Sequence, residues 1–219
     1  MKITARTALE LASHEGLVRQ AYKDSVGVWT WSIGITNASG HNVDRYINNP
    51  QSVEKCLDVY VWALEKYAND VRKVFASKPL NEHQFAAAVS FHYNTGAIAR
   101  AAWVKKWLAG DVAGAKKSFM DWSKPKEIIP RRQKERDLFF DGKWSNNGTV
   151  TEYTRVKANG QIDWASAKRT NIKSEMERVF NPTQNPTPQP ETSIPASQPS
   201  TGFLAAIIKA IASIFKRNN

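Results

Sequence analysis

The chain has 219 residues, 42% hydrophobic and 11% aromatic, enough apolar surface to build a core and to exclude a wholly disordered chain. Its 1 cysteine excludes an intramolecular disulfide framework and a multi-cysteine zinc site. The formal net charge of +11 predicts attraction to polyanions (nucleic acid, anionic membrane or anionic cell-wall polymer) without choosing among them.

The first residues, MKITARTALELASHEG, start basic, but Glu10, His14 and Glu15 interrupt any apolar run, so no secretory signal is expected. The expectation is a chain left in the cytoplasm of the cell that makes it. No apolar stretch reaches the ~18 residues of a transmembrane helix. Thr4 suits the N-cap of a first helix ending near Ser13 or His14. AYKDSVGVWTWSIGIT then sets β-branched and aromatic residues about a D-S-V-G turn, which predicts a hairpin. Asn49-Pro50 predicts an N-cap followed by proline at the first helical position. Val53, Leu57, Tyr60, Leu64, Tyr67, Val71 and Val74 recur every three or four residues, one apolar stripe of a long helix. Cys56 sits within that helix and reads as a small buried hydrophobe.

Asn81-Glu82-His83-Gln84 has the residues of a capping box, opening a helix through Phe85, Ala88, Val89 and His92. Further helices are expected at 99–109, 112–121 and 130–140. Residues 144–180 hold two β-rich runs about an Ala-Asn-Gly turn, then a short helix. Six of the ten prolines fall in 181–200, which predicts an extended linker. The fold class expected is α+β and mainly helical.

Four histidines show no paired metal-site spacing, and no nucleophile elbow, P-loop or dinucleotide fingerprint occurs, so no metal and no cofactor are expected. The carboxylates are more informative. Glu15 ends the first helix, Asp24 stands nine residues on at the hairpin turn, and Thr30 follows on the returning strand. Glycoside hydrolysis needs one carboxyl group to protonate the leaving oxygen and a second, ionised one to activate water or attack the sugar. A helix end against a hairpin can hold such a pair, with a hydroxyl such as Thr30 to hold the water. On spacing alone the blander reading wins, a solvated helix end, a turn residue and a strand filler, because three common residues at fixed offsets are a weak signal.

The flanking residues add to this. HEGLVRQAYKDSVGVWTWSIG resembles the active-site segment of the phage-type lysozymes, the muramidase endolysins of glycoside hydrolase family twenty-four. The matching positions are Glu15-Gly16, Tyr22-Lys23-Asp24, Gly27, Thr30 and Gly34. SFHYNTGAIARAAWVKKWLAGD is similar to a second family segment at Ser90, Phe91, Asn94, Gly96, Gly110 and Asp111. IIPRRQKERDLFF is similar to a third at Arg131, Arg132, Glu135 and Leu138. The chain departs from the family at Ile35, where many members have histidine, and at Ile128-Ile129-Pro130, where Gly-Leu is usual.

The resemblance implies a lysozyme-like fold, with a small N-terminal hairpin lobe and a helical C-terminal lobe. It implies hydrolysis of the β-1,4 bond between N-acetylmuramic acid and N-acetylglucosamine in bacterial peptidoglycan, with inversion. Glu15 carries over as the general acid, Asp24 as the carboxylate that positions water or stabilises the cationic transition state, and Thr30 as the water holder. Tyr22, Trp31, Gly34, Asn94 and Gly96 are the candidate substrate contacts. Tyr22, Trp29 and Trp31 alternate near the proposed cleft, where one could stack on a sugar or simply pack in the core.

The domain expectation is a catalytic domain at 1–143, an extension at 144–180 packed on it, a linker at 181–201 and a basic amphipathic helix at 202–219. In that helix Phe203, Leu204, Ile207, Ile208, Ile211, Ile214 and Phe215 fall at helical spacings, with Lys209, Lys216 and Arg217 as the cations. A short apolar-basic helix suits an anionic membrane interface; docking on the domain or self-association are its alternatives. The expected partners are peptidoglycan and an anionic membrane surface, with no specific nucleic acid, for a monomer. Rival readings are a non-catalytic wall- or membrane-binding protein on the same scaffold, a nucleic-acid binder resting on charge alone, and a hydrolase of chitin or chitosan.

Overall fold

The computed structural model describes residues 1–181, so the expected linker (beyond Asn181) and the helix at 202–219 lie outside the described residues. The elements run α1 (Ala5–Ala12), β1 (Gly16–Lys23), β2 (Trp29–Ser32), β3 (Ile35–Thr36), α2 (Val53–Val74), α3 (Glu82–Thr95), α4 (Ala102–Leu108), α5 (Val112–Phe119), α6 (Ile129–Asp141), β4 (Thr149–Tyr153), β5 (Ala167–Asn171) and α7 (Lys173–Phe180). The architecture is α+β and mainly helical, as the sequence predicts. The described residues divide into two units. A sheet unit comprises Thr4–Ala63 and 147–181; a helical unit comprises Met1–Ile3 and Leu64–Asn146.

In the sheet unit, α1 starts where the Thr4 side chain accepts a hydrogen bond from Thr7 N at 3.1 Å, satisfying one free donor of the first turn. Ala8, Leu11 and Ala12 are its core face. The chain then enters a five-stranded sheet of order β3-β2-β1-β4-β5. β1 pairs antiparallel with β2 and parallel with β4. The central strand therefore takes one neighbour from the N-terminal hairpin and the other from residues that follow the helical unit in sequence. Between the pairs Val18–Ser32 and Tyr22–Thr30, four steps of β1 face two of β2, a bulge. Arg19 sits in that bulge, and its carbonyl accepts from Trp31 Nε1 at 2.9 Å and from Gln51 N at 2.8 Å.

Two local expectations shift. The start of α2 is not Asn49-Pro50. Gln51 is tied to Arg19 through both backbone groups, which holds 49–51 outside the helix, and Ser52 Oγ accepts from Lys55 N instead. The Ala-Asn-Gly turn forms, but its arms pair at a bridge, Val156–Ile162, beside an Arg155–Asp163 ion pair, and form no regular hairpin. Asp163 then caps a 3-10 turn at Trp164–Ser166, and the true return strand of β4 is β5, paired from Thr149–Asn171 to Tyr153–Ala167. Cys56 is fully buried, and burial pushes its thiol up to about 12.

In the helical unit, the capping box at Asn81 and Gln84 is present in both directions. Gly96, at φ 62°, closes α3 in the left-handed region that favours glycine. Asp111 caps α5, and Pro130 lies in the first turn of α6. The Trp103 ring centroid lies 4.7 Å from Phe119, 5.0 Å from Phe139 and 5.2 Å from Phe91, an aromatic core.

Candidate active site

Asp24 is placed by the turn between β1 and β2. Its Oδ1 accepts from both Val26 N and Val28 N at 2.9 Å, while its own N–H donates to Val28 O at 3.0 Å. Gly27, at φ 85°, makes the tight reversal possible without a Cβ penalty. One carboxyl oxygen is thus consumed in building the turn, and no hydrogen bond from a described residue reaches Oδ2. Asp24 is only 8% exposed.

Glu15 is placed by the end of α1. Ser13 caps the helix, and the chain tightens so that His14 N donates to Leu11 O and Glu15 N to Ala12 O. Glu15, 6% exposed, is the last residue before the central strand.

Tyr22 joins the two acids. Burial raises its phenol far above the ordinary tyrosine range, and the negative charges of Glu15, then Asp24, then the neighbouring Tyr153 raise it further. Tyr22 thus lies buried on the strand that runs from Glu15 to Asp24. Thr30 is directly opposite Tyr22 across the β1–β2 pair, hence on the same sheet face. Thr30 is fully buried, and its hydroxyl donates to Val28 O at 3.2 Å. Val28, whose N–H donates to Asp24, thus also accepts the Thr30 hydrogen bond through its carbonyl, which leaves Thr30 its acceptor lone pairs for a water.

The other sequence candidates divide. Tyr22 is 8% exposed and packs on Val18 and Ile162. Trp31 is 0% exposed, donates to Arg19 O, and stacks on Tyr46 with centroids 3.9 Å apart. Trp29 is half-buried, with Lys23 Nζ 5.2 Å from its ring centroid. Gly34, at φ 76°, makes the reversal between β2 and β3.

Asn94 and Gly96 belong to the helical unit. Asn94 is 2% exposed, and its Oδ1 accepts from Arg132 at 2.6 Å. That bond is part of a buried network in which Glu135 takes Ser90 Oγ, Arg131 and Arg132, while the Arg132 guanidinium lies 4.8 Å from the Phe91 ring centroid. The second and third sequence motifs are therefore two halves of one ionic core between α3 and α6. Gly96 is the C-cap of α3.

Sequence reasoning passed over the residues behind Tyr22. Tyr153, Val156, Ile162 and Trp164, all from the segment after the helical unit, close a small apolar cluster on Val18 and Tyr22. The alternation in TVTEY was the available signal. Among the described residues, no three His, Cys, Asp or Glu side chains gather as metal ligands would.

The Phage lysozyme family model matches residues 12–135, which include Glu15, Asp24 and Thr30 and end before β4. An endolysin of Acyrthosiphon pisum secondary endosymbiont phage 1 is 31% identical over 150 residues, covering 64% of this chain and 98% of the relative. Among solved structures, an endolysin from Escherichia coli O157:H7 phage FAHEc1 is similar at TM-score 0.60 and 25% identity, covering 67% of this chain and 98% of that one. A mutant of P22 lysozyme is similar at TM-score 0.52 and 26% identity, covering 64% and 98%.

Proposed function

Because the chain belongs to the phage lysozyme family and is a peptidoglycan-hydrolysing lysozyme, we propose that it cleaves the β-1,4 bond between N-acetylmuramic acid and N-acetylglucosamine with Glu15 and Asp24 as its two working carboxyls. Glu15 gives its proton to the leaving glycosidic oxygen as the C–O bond breaks. Asp24, its Oδ1 fixed by two backbone N–H groups, offers Oδ2 to the attacking water and takes its proton as the new bond forms at the anomeric carbon. Atoms balance: one water is consumed, and each product gains a hydroxyl. Thr30 presents acceptor lone pairs to that water. The observation that carries this reading is the placing of Glu15 and Asp24 at the two ends of β1, both buried, with Asp24 Oδ1 fixed by two backbone donors and both acids within one short segment of the family match.

One copy of the chain supplies both carboxyls, so the reading needs only a monomer and no specific nucleic acid. Residues 144–180 act as part of the catalytic domain. We further propose that 202–219, tethered by 181–201, bind an anionic membrane through the apolar face and cations named above, and that the enzyme reaches the wall from the cytoplasm through a breached inner membrane. Removing 182–219 is expected to abolish liposome leakage and to leave hydrolysis of purified peptidoglycan intact; leakage that persists overturns the membrane role.

The hydrolytic reading is tested on the products. Digests of purified peptidoglycan should gain N-acetylmuramic acid reducing ends, and NMR of the first-formed anomer should read inversion. New N-acetylglucosamine ends, or cleavage of chitin in preference, would overturn the bond assignment.

A further inference from the structure

Residues 147–172 lie beyond the family match, yet they form part of the sheet next to Glu15. Gly16 is opposite Thr151 and Leu17 opposite Glu152 in the parallel β1–β4 pair. Tyr153, the last residue of β4, covers Gly16: a Cβ at that glycine would stand 2.8 Å from Tyr153 Cε2 and 3.2 Å from Cδ2. Unstrained carbon atoms do not approach so closely, so ring and glycine are fitted to each other. Gly16 has no positive φ, and the need for glycine there is one of space. The ring also packs on Val18, Tyr22 and Ile162, and Trp164 stands edge-on to it with centroids 5.0 Å apart. One side chain from the extension thus packs on Gly16, the residue bonded to Glu15, and on the cluster of Tyr22, which stands two residues before Asp24.

We propose that Tyr153 is a positioning residue for hydrolysis: its ring, braced by Trp164 and Ile162, clamps Gly16 and Tyr22 and so fixes the Glu15 carboxyl relative to Asp24. The inference rests on Glu15 being the general acid. It assigns the extension a part in the reaction although the family match ends at residue 135.

The test is a double-mutant cycle on the full chain, read as kcat and KM on purified peptidoglycan. Tyr153→Ala should lower kcat by about tenfold, as expected for a small misplacement of a catalytic group, with KM within about twofold. Tyr153→Phe keeps the ring and should restore kcat. Gly16→Ala alone should also cost about tenfold, because its methyl drives the ring out. In the Tyr153→Ala background the same change should cost less than about twofold, since the clash is gone. If Tyr153→Ala does not melt cooperatively, Tyr153→Leu takes its place in the cycle with the same expectation. Unchanged kcat in a folded Tyr153 variant, or an equal cost of Gly16→Ala in both backgrounds, overturns the proposal. Glu15→Gln, run alongside, separates the two readings: activity surviving there breaks the site assignment, whereas an additive cycle breaks only the role of Tyr153.

Discussion

Glu135 in the helical unit and Asp24 in the sheet unit are both buried acids, 0% and 8% exposed, but their surroundings differ. Glu135 spends its carboxylate on two guanidinium groups and a hydroxyl. Asp24 spends one oxygen on two backbone donors and keeps the other. A buried charge whose partners saturate it holds helices together, while one fixed by half its carboxyl is oriented yet still able to act. The difference sets apart motif residues that look alike in sequence.

The largest expected effect is on the saturated acid. Glu135→Ala would leave Arg131 and Arg132 buried without their counter-charge and should cost about 3–5 kcal/mol of stability, measured by urea unfolding. A variant as stable as the parent would break the comparison. Asp24→Asn should do the reverse, lowering kcat by roughly a hundredfold or more while the melting temperature moves little. Asn94→Ala sharpens the boundary between the two. It removes the acceptor of a charge-assisted bond and should cost about 2 kcal/mol of stability with KM unchanged; a raised KM with full stability would return Asn94 to the substrate.

The smallest effect concerns the aromatic stack beside β2. His41 is stacked 5.7 Å from Tyr46, and its Nε2 lies 2.9 Å from the tyrosine hydroxyl. Burial, then the charges of Arg45 and Lys55, lower it to about 4 from 6.5. The unfolded chain therefore binds the proton more readily, so this contribution is complete above pH 6.5 and is lost as pH falls toward 4. Discounted for its partial exposure, the loss is about 1 kcal/mol. The urea midpoint of the parent should fall over that window, and that of His41→Gln should fall less.

Much of the local structure that carries the candidate site was legible because it depends on neighbouring residues. Thr4, Ser13, the D-S-V-G turn and the spacing of Glu15 to Asp24 are written within one stretch of chain, and caps and turns depend on nearby residues. The orientation of Trp31 was not legible. Whether a strand's aromatic meets water or core depends on what covers it, and Trp31 is covered by Tyr46. Tyr22 is covered by residues more than a hundred positions later, Tyr153 and Ile162. The S-F-x-x-N and R-R-x-x-E segments were both visible, but their meeting as Asn94–Arg132 and Ser90–Glu135 is a tertiary fact. The misplaced return strand after Gly160 has the same origin: Asp163 turns the chain out before β5 can pair.

In the proposed hydrolysis Glu15 carries the proton delivered to the leaving group. The most direct test is the initial rate of reducing-end release from purified peptidoglycan by Glu15→Gln, with circular dichroism and melting temperature matched to the parent. The account predicts a fall of at least about a hundredfold in a folded protein. A folded Glu15→Gln that releases reducing ends within tenfold of the parent would contradict it.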